Sequence, residues 1–297
     1  MKRIEWKAPL LLWVLFEGIA VTLWLVLHNP FYLLNFSYIG TGLALGVLLY
    51  LNRRPAARNV TQWIIGVYML VYLGLMKGEN MQLEGFWYYL FQGVFEAAVI
   101  HYLIAKIAGP LIFGRGWCGY ACWTAMVLDL LPYKTRCAPR RRWTWMRYAV
   151  FVLSLLFVTA LVAFRVQPLE RIMQWSFVIG NLLYYAVGIT LALVLKDNRA
   201  FCKYLCPVAV FLKPASYFSR LRVTCDNTAC ISCGKCRSVC PMDVDMTDNA
   251  RSRLHGTECI LCLRCVETCP PTALKCATVL TAPPQGPPPG PKTPLRA

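Results

Sequence analysis

Residues 230–241 read Cys-Ile-Ser-Cys-Gly-Lys-Cys-Arg-Ser-Val-Cys-Pro, and residues 259–270 read Cys-Ile-Leu-Cys-Leu-Arg-Cys-Val-Glu-Thr-Cys-Pro. Each is C-x2-C-x2-C-x3-C-P. Three thiolates on a tight loop can hold three corners of a cubane, while the fourth, carried into the following helix, reaches the other cluster. The spacing therefore predicts one 4Fe-4S cluster on Cys230, Cys233, Cys236 and Cys269, and a second on Cys259, Cys262, Cys265 and Cys240. Pro241 and Pro270 turn the chain after the fourth ligand, since proline has no backbone N–H to donate. Zinc also takes four thiolates, but paired zinc knuckles need no such eight-cysteine, two-proline duplication.

The surrounding chain is of another kind. Of 297 residues, 58% are hydrophobic and only 15% charged, and the mean hydropathy is +0.48. This is too apolar for an ordinary soluble domain. Six apolar stretches approach the ~20 residues that span a bilayer, at 9–27, 31–51, 60–76, 86–107, 148–164 and 175–195. The fold class expected is an all-α polytopic membrane domain over 1–222, with about six transmembrane helices. A small α+β ferredoxin-like domain with two 4Fe-4S clusters follows over 223–280, then a Pro-rich disordered tail over 281–297.

The net charge of +17 points to nucleic acid or to a membrane surface, and the distribution of charge favours the membrane. Basic residues crowd alternate connections, whereas the others hold only Lys77, Arg165 and Arg171. Under the positive-inside rule, both termini and all clusters then lie on the cytoplasmic side of a bacterial or archaeal inner membrane, with no role for nucleic acid. Reducing conditions there suit exposed clusters and argue against disulfides. The first span has the basic start of a signal peptide but no small-x-small cleavage site, so an uncleaved helix is expected.

Two more cysteine pairs follow the fourth and sixth apolar stretches: Arg115-Gly-Trp-Cys118-Gly-Tyr-Ala-Cys122-Trp123 and Arg199-Ala-Phe-Cys202-Lys-Tyr-Leu-Cys206-Pro207. They match at Arg, a small residue, an aromatic, Cys, Tyr and Cys, as a duplicated unit of two spans plus C-x3-C would. Parallel repeats related by an axis along the membrane normal bring the pairs to one place. Four converging thiolates suit a third iron–sulfur centre, Cu(I) or zinc; redox thiols and buried structural cysteines are the alternatives.

This order of spans, C-x3-C, spans, C-x3-C-P and terminal double cubane resembles the NapH/MauN type of membrane-bound 4Fe-4S ferredoxins over about residues 60–280. It is more distantly similar to the membrane parts of NosR and of RdxA/CcoG proteins. The resemblance implies a quinol-oxidising membrane subunit that feeds electrons to a ferredoxin or reductase partner, with Cys118, Cys122, Cys202 and Cys206 as functional thiols. The RdxA/CcoG side implies instead a copper-reducing or copper-handling assembly factor, and a membrane anchor for a larger redox complex is a third possibility. Trp123 stands where the first motif usually has proline, and the first two spans look like an addition.

A quinone site needs a proton acceptor beside apolar walls. Glu96 and Glu17, each about midway along an apolar stretch, are the catalytic candidates, with a carboxyl that ties helices together as the alternative. His101 reads as a satisfied interior histidine. His28 and His101 fall at opposite ends of their spans, too far apart to share a haem. Cys137, Cys225 and Cys276 have no partner at ligand spacing. The 140–142 arginine run with Trp143 and Trp145 reads as a lipid-headgroup anchor, a docking surface for an acidic electron carrier being the alternative.

Overall fold

The computed structural model describes residues 6–52, 54, 56–95, 97–133, 142–247 and 256–278. Five of its helices are long and apolar enough to cross a membrane: Lys7–Leu27, Pro30–Leu51, Ala57–Met76, Trp143–Ala163 and Leu169–Leu195. The first three are α1, α2 and α3. Asn29 caps α2, its side chain accepting from the Phe31 amide at 3.0 Å with Pro30 at the first helical position, where no N–H is needed. The last nine residues of α3, Tyr68–Met76, are π-helical.

The fourth apolar stretch, expected as one helix over 86–107, is divided. Helix α4 (Leu83–Phe91) ends where Gly93 takes a φ of +70°. Val94 N–H bonds to Tyr89 C=O at 3.0 Å and Gly93 N–H to Leu90 C=O at 3.2 Å, the paired bonds of a glycine C-cap. The chain restarts as the shorter apolar helix α5 (Ala98–Phe113), with a π-helical stretch at Leu103–Ala108. Hydropathy runs through the break because the flanking residues are apolar on both sides, whereas backbone conformation is set by the glycine. Glu96 lies outside the described residues.

The segment before α4 turns inward. Short helices α6 (Gly116–Tyr120) and α7 (Trp123–Leu128) precede α8 (Met146–Ala163) and α9 (Leu169–Leu195). Asn80 Nδ2 donates to Met173 C=O at 2.9 Å and to Ser176 Oγ at 2.8 Å. Gln82 reaches Gly180, where a Cβ would stand 2.5 Å from its Oε1. Tyr88 then packs again with Met173 and Leu169. The chain thus dips about 10 Å along α9 and returns as α4, a re-entrant hairpin. Irregular backbone at such depth is stable only when enclosed by protein, and Asn80 and Gln82 are buried.

Beyond α9 come α10 (Ala200–Tyr204) and α11 (Ala209–Tyr217). Strands β1 (Leu221–Cys225) and β2 (Leu274–Thr278) pair antiparallel, Leu221 opposite Thr278 and Cys225 opposite Leu274. Between them lie two four-residue helices, α12 (Lys235–Ser238) and α13 (Arg264–Glu267). One buried core joins Cys118 and Cys202 to Cys225, Cys240 and Cys265, so the cysteine-rich region is seated on the helical bundle.

Candidate functional site

The two cysteine-rich runs repeat each other in backbone as well as in spacing. Positive φ occurs at Ser232 and Gly234 in the first loop and at Leu261 and Leu263 in the second. It recurs at Asp243 and Thr272, each three residues after its motif's fourth cysteine. Leucine seldom adopts this conformation, so loop shape overrides side-chain preference here. Alternating left- and right-handed residues turn successive N–H groups inward and form anion-binding nests of the kind that hold iron–sulfur clusters; Val244 N–H, for example, lies 3.3 Å from Cys240 Sγ.

The structure brings Cys230, Cys233, Cys236 and Cys269 around one small pocket, with Cys225 beside them. Cys240 lies with Cys259, Cys262 and Cys265, all within electrostatic reach of one another. Burial pushes the Cys259 thiol up to about 12 and the Cys240 thiol up to about 11. Such thiols lose their protons together only when a cationic centre offsets the desolvation. Among the described residues no three His, Cys, Asp or Glu stand close enough to share a single metal ion.

The C-x3-C segments are also built alike. Arg115 precedes α6 and Arg199 precedes α10 with similar backbone angles, φ −86° and −102°. Cys122 N–H bonds to Trp117 C=O at 3.1 Å, and Cys206 N–H to Phe201 C=O at 3.0 Å. Each arginine approaches the sulfur three residues on, Arg115 Nη2 at 3.9 Å from Cys118 Sγ and Arg199 Nη1 at 3.8 Å from Cys202 Sγ. Arg199 Nη1 also donates to Cys118 C=O at 3.2 Å, linking the halves. Cys206 interacts electrostatically with Cys202, Cys118 and Cys122, so all four thiols share one neighbourhood.

That neighbourhood is cationic. Buried Lys106 lies over the Trp117 ring at 4.1 Å, and Arg115 and Arg199 are fully buried. Arg199 forks onto Asp129 through Nε at 2.7 Å and Nη2 at 2.5 Å, and Arg58 meets the same carboxylate at 2.7 Å. Arg115 pairs with Glu258, which also accepts from Arg147 at 2.9 Å and Lys213 at 3.0 Å. Lys203 joins Asp197 and Asp243, both at 2.6 Å. Positive charge on four thiolates suits a centre with net negative charge, as a cubane with four thiolates has.

These pairs seat the cysteine-rich region. Glu258 immediately precedes Cys259, and Asp243 follows Cys240 by three residues. Tyr120 OH donates to Leu261 C=O at 3.0 Å, Ser216 Oγ to Thr257 C=O at 3.0 Å, and the Ile260 carbonyl sits where a Cβ on Gly119 would be. The Cys259–Cys262 loop therefore lies on α6, whereas the Cys230–Cys233 loop is outermost, with Ile231 and Cys233 exposed.

Arg115, Arg147, Arg199 and Lys203, which belong to the basic connections of the sequence, are buried structural charges. The Arg-x2-C repeat was the signal available for two of them; nothing local marks Glu258. Glu17 accepts from Ser37 Oγ at 2.7 Å, a link between α1 and α2. His101 is buried 4.9 Å from the Trp117 ring, its Nε2 without a hydrogen-bond partner. Cys276 is exposed; Cys137 and the 281–297 tail lie outside the described residues.

A family described as 4Fe-4S dicluster domain matches residues 222–270, and one described as 4Fe-4S binding domain matches 98–145 and 181–224, each containing a C-x3-C segment. The chain is thus similar to MauN-type ferredoxin proteins and carries 4Fe-4S binding segments. The methylamine utilization ferredoxin-type protein MauN of Paracoccus denitrificans is 27% identical over 155 residues, 48% of this chain and 54% of the relative. MauN of Methylobacillus flagellatus is 30% identical over 145 residues, 44% and 50% of the two chains. The putative electron transport protein YccM of Escherichia coli is 24% identical over 166 residues, 49% and 46%. The MauN-like chain thus spans about half the length of these curated relatives. No solved structure matches it significantly.

Proposed function

We propose that this protein relays electrons from a membrane quinol to a soluble redox partner, a ferredoxin or a reductase subunit, on the cytoplasmic side. The observation that carries this reading is the seating of the Cys259–Cys262 loop on α6 through Tyr120, Gly119 and Glu258. It supports an order: a centre on Cys118, Cys122, Cys202 and Cys206, then a cluster on Cys240, Cys259, Cys262 and Cys265, then one on Cys230, Cys233, Cys236 and Cys269. The exposed side of the last, at Ile231 and Cys233, would meet the acceptor.

Iron–sulfur clusters supply one-electron chemistry, and the chain's residues hold, insulate and electrically balance them. One quinol yields one quinone, two protons and two electrons. Each electron reduces one oxidised centre, and the protons pass to a carboxylate and then to water. The family matches at both C-x3-C segments favour iron over copper there. The relatives named for ferredoxin and electron transport point the same way.

Iron and acid-labile sulfide per chain, measured on anaerobically purified protein, test the relay. About twelve irons are expected in the wild type and about eight in a Cys118→Ser/Cys206→Ser variant. About eight in both would remove the third cluster and break the connection to the membrane.

A further inference from the structure

A lateral groove of about 590 Å³ lies between α8 and α9, with α4 beside it, within the size range of small-molecule sites. Its walls are apolar, including Val150, Phe157, Trp175 and Ile179. Leu153, Ile179 and Leu183 are more than half exposed on the outer surface of these helices, so it opens where lipid would lie. Among the polar residues of the lining, which include Arg171, Ser176 and Tyr184, two carry buried groups that lack a regular partner. Glu84 Oε2 is buried without a hydrogen-bond partner, and so is the hydroxyl of Ser154, a residue only 5% exposed. They stand within weak hydrogen-bonding reach of each other, and neither has a further partner.

We infer that this groove binds a quinone or quinol ring, with Glu84 accepting a hydrogen bond from a ring hydroxyl and Ser154 meeting a ring oxygen. A lipid acyl chain would leave the two polar groups with no partner beyond each other, at a cost. A ring that carries oxygens and an apolar tail satisfies them and fills the rest. Position supports the same occupant. Tyr184 lines the groove, packs at a tilt against Phe201 at 5.1 Å between ring centres, and lies within electrostatic reach of both Glu84 and Cys206. Tyr184 therefore connects the groove to the surroundings of the C-x3-C thiols. The re-entrant hairpin has a purpose in this arrangement: it carries Glu84 from the end of an apolar segment into the bundle. This inference rests on the quinol reading and gives it a location.

The test uses the full chain with its clusters, anaerobically in lipid nanodiscs, with duroquinol as reductant and dithionite as reference. Ile179→Trp narrows the groove from its exposed wall, and Glu84→Gln removes the charge while keeping the shape. Ile179→Trp is expected to raise the duroquinol concentration for half-maximal cluster reduction by about tenfold or more. Glu84→Gln is expected to slow reduction at saturating quinol, and dithionite-reducible iron should be unchanged in both. An azidoquinone should photolabel peptides of α8 and α9 in the wild type and fail to do so in Ile179→Trp. If quinol reduces wild type and both variants alike, or the label falls elsewhere, the location is wrong and the quinol reading survives. If quinol does not reduce the wild type while dithionite does, both are overturned.

Discussion

Glu258→Ala is expected to release the cysteine-rich region from the helical bundle and to destabilise the protein by about 3–5 kcal/mol, the usual result of removing one partner from a buried ion pair. Glu258 is fully buried and is the shared acceptor for Arg115, Arg147 and Lys213. Without it, two fully buried guanidinium groups lose their carboxylate in a place that water cannot reach. That loss is a large part of the 5–15 kcal/mol that holds a typical domain folded. Glu258→Gln keeps the volume and one acceptor oxygen but not the charge, so its effect should fall between alanine and wild type. Salt should change neither result much, since buried pairs are poorly screened. Thermal unfolding in detergent, together with the rate of proteolysis between the bundle and residue 259, measures both variants. Wild-type melting in Glu258→Ala would show that the carboxylate does not secure the domain.

Gly119→Val should leave the ferredoxin clusters in place and still cut their reduction from the membrane side. A Cβ at residue 119 collides with the backbone carbonyl of Ile260, which cannot rotate away as a long side chain can. The Cys259–Cys262 loop must therefore lift from α6. Overpacking of this kind costs about 1–3 kcal/mol, which the Glu258 and Lys203 pairs can withstand. Electron exchange falls steeply with separation, so quinol-driven reduction should slow more than about tenfold, equivalent to about 1.4 kcal/mol in the barrier. Dithionite should reduce the outer clusters as in the wild type. Gly116→Ala is the control: a Cβ there meets Phe113 at 3.5 Å and Leu261 at 3.9 Å, ordinary contacts, and it should behave as wild type. Equal quinol-driven rates in Gly119→Val and Gly116→Ala would place the electron route elsewhere.

The two cysteine runs were legible in the sequence because cluster ligation is local: three ligands fall within seven residues, and the rest is one further cysteine and a proline. The repeat of Arg-x2-C-x3-C was legible for the same reason, and the matched backbone of α6 and α10 is its structural counterpart. Five of the apolar stretches became helices of spanning length because hydropathy averaged over 20 residues is a sound guide to them. The break at Gly93 escaped that average. Buried charges outside that repeat escaped too, since Arg147 and Lys203 are indistinguishable in sequence from basic residues at a membrane surface. Their partners Glu258 and Asp243 are remote in the chain and met only after folding. Glu84 has no signal in the sequence because it begins an apolar segment instead of interrupting one, and the re-entrant path that brings it inward has no periodic signature.

The proposed crossing of ligands between the two cysteine loops would also govern the order in which this protein can mature. Cys240 sits with the later loop and Cys269 with the earlier one, so a ribosome that has released residue 236 has not yet supplied a complete ligand set for either ferredoxin cluster. The thiols at 118 and 122 wait in the same way for those at 202 and 206. Iron delivery to the two proposed ferredoxin clusters would thus wait for Cys265 and Cys269, whereas the proposed centre beside the membrane would have its full set of thiols once Cys206 is made.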